Sequence, residues 1–324
     1  MSNKEIYKKT LTFSVRRLLF DIITFVVFFG IIFLGFFIGD KAANAGIVGL
    51  VTGVIIAFIV LWLLSRFIAY TFSAGQICMM TAAITEGSLP DDVYAEGKRR
   101  VKERFGTVAI YFAATNTIRG IFRQIGRGIS SLGRAVGGDA GDAAGSAISI
   151  AIDTLVRYLS DCCLGWVFFR KDVNAGKATL EGSVLFFKHG KTFGKNMGRI
   201  FGMGLASLLL IGGAFSGVFY LIFSNFKDEL ALLANDISAN ASADASTFVK
   251  LLENPTTLLI VVSVIAGVIL WSILHGAFIR PFILAGVLKN YLVSGMEDIP
   301  TEASYMEVAE KSPKFAKLMK ETTY

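Results

Sequence analysis

Charge is scarce in this chain. Asp, Glu, Lys and Arg make up 18% of its residues, where soluble chains carry about 25%. Histidine is scarcer: two residues, His189 and His275, far apart in sequence. No HExxH, GxSxG or Walker pattern occurs, so the chain offers no catalytic constellation, and neither enzyme activity, a cofactor nor a bound metal is expected. The three cysteines, Cys78, Cys162 and Cys163, have neither disulfide nor zinc spacing and read as small buried hydrophobes. No internal repeat is present.

What the chain has is apolar length. Of its 324 residues 54% are hydrophobic, with 33 Gly and 28 Phe. Four runs dominate: Ile22–Ile38, Ile47–Leu64, Ile200–Phe223 and Thr257–Leu274. A membrane helix needs roughly 17–25 such residues, and a helix in a soluble protein keeps a polar stripe that these runs lack. The fold class expected is all-α: a polytopic bundle of four to six spans with interfacial amphipathic helices.

Basic residues set the expected orientation. Lys4, Lys8, Lys9, Arg16 and Arg17 precede the first run. Lys98, Arg99, Arg100, Lys102 and Arg104 follow the second, and Arg170 to Arg199 hold a third block. Cytoplasmic flanks collect Lys and Arg, so both termini are expected inside a plasma membrane. That gives a basic segment 1–21, a transmembrane domain 22–288 and a tail 289–324. The N-terminus mimics a signal peptide, but its apolar run is too long, and an uncleaved first span is expected. The net charge of +7 points to anionic lipid headgroups as partners rather than nucleic acid.

Residues 105–135 admit two readings. Ile118, Ile121, Phe122, Ile125, Ile129 and Leu132 alternate at helical spacing with Arg119, Arg123 and Arg127. This is either a basic helix lying in the membrane surface, with Arg119, Arg123, Arg127 and Arg134 on lipid phosphates, or the start of a crossing pair. Ala135–Ala147 reads as a Gly/Ala-rich linker, and 224–255 as an acidic outer loop.

The sharpest constellation is Asp153, Arg157 and Asp161, four apart on one helix face, where each acid can meet the arginine. Ionised groups on a spanning helix mark a pathway or a salt-bridged structural face. His275 follows about 18 apolar residues and is a second pathway candidate or a hydrogen-bonded packing residue. Pro281, after Arg280, is placed to kink the same helix. The pairs Gly49/Gly53, Gly198/Gly202 and Gly213/Gly217 permit close helix approach, in the bundle or in a homo-oligomer.

From Ala69 onward the order of elements resembles the C-terminal half of choline transporter-like proteins. The residues that carry it are Gly75-Gln76-Ile77-Cys78, then Phe105-Gly106-Thr107-Val108-Ala109, Leu155–Gly176 with its basic turn Arg170-Lys171, Gly212-Gly213, and the closing stretch Phe278-Ile279-Arg280 to Leu288-Lys289-Asn290-Tyr291. The resemblance implies a polytopic plasma-membrane protein handling choline-like cations or lipid precursors. This sequence lacks the family's large N-terminal portion. The reading is a transporter or channel-like protein for a small solute or lipid-related molecule, with a non-transporting scaffold or lipid-organising protein as the alternative.

Overall fold

The computed structural model describes residues 1–43, 46–67, 69–137, 141–188, 190–240 and 254–323. Among them no strand occurs, and nearly all are helical. By contacts it divides into two compact units, one of Met1–Ile200 with Pro281–Tyr324, the other of Phe201–Arg280.

The first unit opens with α1 (Asn3–Lys9). Its Ser2 cap and Glu5 form a reciprocal capping box, which satisfies two otherwise orphaned N–H groups. α2 (Leu11–Ala43) runs without a break through the expected boundary at residue 21. Its first turns are held by protein rather than lipid. Arg16 lies 3.9 Å from the centre of the Tyr94 ring, and Phe13 is fully buried. Phe13 fits because two glycines make room for it. A Cβ on Gly75 would stand 2.5 Å from Phe13 Cε1, and one on Gly97 2.7 Å from Phe13 Cζ.

α3 (Gly46–Phe67) lies along α2. The two backbones approach through Gly35, Gly39, Gly49 and Gly53; a Cβ on Gly35 would be 2.6 Å from the Gly49 carbonyl oxygen. The Gly49/Gly53 pair is thus spent on packing within the chain.

α4 (Ala69–Thr85) follows α3. It is a core helix, with Gln76, Ile77, Cys78, Met79 and Met80 all buried by protein. Gln76 Nε2 donates to Thr10 O at 3.3 Å and Ser14 Oγ at 3.0 Å. Gly87, at φ 74°, turns the chain toward α5 (Val93–Phe105), which Asp92 caps by accepting from Ala95 N–H at 2.9 Å.

α6 (Val108–Gly137) is amphipathic as its pattern requires: Ile118, Ile121 and Phe122 are buried while Arg119 and Arg123 are exposed. α7 (Gly141–Phe169) begins within the expected linker. The backbone of 135–137 and 141–147 is helical, consistent with alanine's high helix propensity. α8 (Ala175–Lys188) packs on α7. α13 (Arg280–Glu297), α14 (Glu302–Lys311) and α15 (Pro313–Thr323) end the chain. Trp166 of α7 is fully buried; Gly295 of α13 leaves room for its ring, since a Cβ there would stand 2.5 Å from Trp166 Cζ3.

The second unit is built on the C-terminal end of α9 (Gly190–Ser207), a π-helical turn Leu208–Gly212, α10 (Gly213–Phe223), α11 (Lys227–Asn240), α12 (Pro255–Leu274) and a second π-turn His275–Ile279. α11 occupies part of the expected outer loop. Asn254 caps α12, accepting from Thr256 and Thr257 N–H at 2.9 and 3.1 Å, with Pro255 in the first turn, where its missing N–H costs nothing.

Among the described residues, three helical stretches are long and apolar enough to cross a membrane: Leu11–Ala42, Gly198–Leu232 and Pro255–Glu297, with Val48–Leu64 a shorter apolar helix. Only 6%, 11% and 22% of the three apolar windows is buried inside the chain. Phe33, Leu210 and Leu221 stand two-thirds exposed or more. Apolar surface in water costs roughly 25 cal/mol per Å², so such faces are compatible with an integral membrane protein, in which lipid covers them.

Candidate functional site

The polar groups of the second unit gather where its helices widen. Ser207 is the last residue before the first π-turn, and His275 opens the second. Trp271 Nε1 donates to Ser207 Oγ at 3.1 Å, Ser207 donates to Gly204 O at 2.7 Å, and His275 Nδ1 faces the same hydroxyl at 3.4 Å. Ser207 Oγ can accept from His275 where Nδ1 carries the proton. The Trp271 and His275 rings lie 4.9 Å apart.

The second π-turn has a local cause. It runs directly into α13, whose second residue is Pro281. Proline removes one N–H and crowds the carbonyl four residues back, and the wider turn absorbs the misfit that was expected to kink the helix. The first ends at Gly212, where a Cβ would stand 3.2 Å from Leu208 Cδ1 and 3.6 Å from Trp271 Cβ. Single π-turns inside helices are frequent at functional sites.

On α7 the charged trio shares a helix face but meets different surroundings. Asp153 and Arg157 are exposed, whereas Asp161 is buried as the helix enters the core. Of the four arginines assigned to lipid headgroups, Arg119 and Arg123 are exposed on α6. The side chains of Arg127 and Arg134 lie outside the described residues. Cys78, Cys162 and Cys163 are buried free thiols. Among the described residues no group of three His, Cys, Asp or Glu is placed to hold a metal ion.

A second polar cluster went unread in the sequence. Glu181, 2% exposed, accepts from Trp166 Nε1 at 3.0 Å and from Arg170 Nη1 at 2.6 Å. Arg170 also holds Asp172 at 2.8 Å, which keeps the Asp172 carboxyl below its ordinary range. Burial raises the Tyr305 hydroxyl to about 12. Arg104 closes the end of α7, donating to Arg170 O and Val173 O, both at 2.9 Å. The available signal was one acid in the apolar run Leu180–Phe187, since an isolated acid on an apolar face demands a buried partner. Farther along, Glu86 meets Arg100 at 2.7 Å and Lys171 at 3.3 Å.

In comparisons with known proteins, the chain matches no family model, no curated protein and no solved structure.

Proposed function

We propose that this chain is a multi-pass transporter or channel-like protein of the plasma membrane, passing a small solute or lipid-related molecule along the second unit without covalent chemistry. One observation carries the reading: a hydrogen-bonded Ser207–Trp271–His275 set seated at two π-turns within otherwise apolar spanning stretches. Polar groups in such segments are costly and mark pathways by default. A π-turn supplies a place where a helix can change register. In the first unit Asp153, Arg157 and Asp161 are kept as pathway candidates in their own right; four to six spans cross the bilayer, and both termini face the cytoplasm. The resemblance to choline transporter-like proteins makes a small quaternary amine the first solute to try. Proteoliposomes holding the full chain should take up labelled choline faster than empty vesicles, with Ser207→Ala and Asp153→Asn each slowing uptake several-fold. Uptake equal to that of empty vesicles removes the transport reading.

A lipid-organising scaffold is the second reading, favoured by α6, whose Arg119 and Arg123 stand exposed beside the buried Ile118, Ile121 and Phe122. It predicts that the Arg119→Ala/Arg123→Ala variant co-purifies with less anionic lipid than the parent chain, measured by lipid mass spectrometry.

A further inference from the structure

A cleft of about 210 Å³ opens in the first unit between α4, α5 and the end of α7. Part of its wall is apolar: Ala82 and Phe168 are buried there, with Phe169 beside them. Cys78 also lines it, and burial pushes that thiol up to about 12, leaving a neutral S–H.

Two features give the cleft a chemical sign. Arg100 and Lys171 stand on its rim beside Glu86; Arg100 is also held by Glu96 at 2.7 Å, which leaves Lys171 the less tightly paired of the two cations. In its wall Thr81, 2% exposed, has a hydroxyl without a hydrogen-bond partner. An unmatched buried hydroxyl costs about 1–3 kcal/mol, and such a cost is relieved when a ligand supplies the missing acceptor. Lys171 reaches Glu86 at 3.3 Å with both side chains substantially exposed. Pairs of that kind are worth about 0–1 kcal/mol, so an incoming anion can take Lys171 from Glu86.

We propose that this cleft binds a small organic carboxylate, its acid group between Lys171 and Arg100 within reach of Thr81, and its apolar body against Ala82 and Phe168. The site is separate from the Ser207–Trp271–His275 cluster and does not depend on the transport reading.

The test uses the full chain in detergent, with pentanoate and its charge-inverted counterpart pentylamine as probes at matched ionic strength. Calorimetric titration should show saturable binding of pentanoate and none of pentylamine. Lys171→Gln and Thr81→Val should each weaken pentanoate about tenfold. Glu86→Gln should tighten it several-fold, because it removes the acid that competes for the same two cations. A merely structural role for these residues cannot give opposite signs. No saturable pentanoate binding, equal binding of both probes, or loss of affinity in Glu86→Gln overturns the proposal.

Discussion

Trp271 Nε1 donates to Ser207 Oγ at 3.1 Å across 64 positions of sequence. The bond joins the end of α9 to α12, and the hydroxyl itself donates to Gly204 O. Ser207→Ala therefore takes the acceptor from the indole N–H and removes a polar neighbour of His275 at once. Side-chain hydrogen bonds inside membranes average about 0.6 kcal/mol and reach about 1.7. Thermal unfolding in detergent should place Ser207→Ala about 1 kcal/mol below the parent chain. Equal stability would show that the set does not hold the second unit together.

Arg170 and Glu181 should behave as a coupled pair. Glu181 is buried beneath Arg170 and Trp166, and removing one partner of a buried pair costs about 3–5 kcal/mol. Arg170→Met should lose about 3 kcal/mol, while Arg170→Met/Glu181→Gln should regain a large part of it. Strict additivity of the two single changes, in a double-mutant cycle, would refute the coupling.

Stability should fall in acid through Glu86 and Glu96. Hydrogen bonds from Arg99 and Arg100 bring Glu96 down to about 2, and Arg100, with Lys171, lowers Glu86. Both folded carboxylates titrate below the unfolded value of about 4.3. Their contribution is thus complete above that value and is lost as pH drops through the folded range toward about 2. Chemical unfolding followed from pH 6 to pH 3 should show the decline, and Arg100→Met should flatten it. A pH-independent profile in the parent chain would be the contrary result.

The glycine pairs separate into two kinds. A Cβ on Gly49 would stand 2.8 Å from Gly39 Cα, whereas Gly198, Gly202, Gly213 and Gly217 have nothing within 4 Å. Gly49→Ala should force α2 and α3 apart and lower the melting temperature, while Gly217→Ala should leave the monomer's stability unchanged. Gly217→Leu, tested by size-exclusion with light scattering, reads the homo-oligomer proposal: altered subunit number supports it, and an unaltered number counts against a contact at that face.

These contrasts show what the sequence could and could not reveal. Period and composition were enough for the helices, for the buried face of α6 at Ile118, Ile121 and Phe122, and for the Gly49/Gly53 approach, because each is a local pattern. Ser207 stayed invisible as the partner of His275. A serine in an apolar run satisfies its own helix's carbonyls, so nothing local marks it as a long-range acceptor. Arg170 read as a basic flank, yet its guanidinium is turned inward onto Glu181, a choice made by the packing of α7 on α8. Ala135–Ala147 reads as linker because glycine signals a break as strongly as its alanines favour helix.

The central claim is that the long apolar helices are covered by lipid. Trp62 on α3 is 58% exposed and offers a direct probe. In a chain whose Trp166 and Trp271 are replaced by Phe and which is reconstituted into vesicles, lipids brominated along their acyl chains should strongly quench Trp62 fluorescence. Water-like emission, left unquenched by every brominated lipid and quenched instead by a soluble agent, would contradict it.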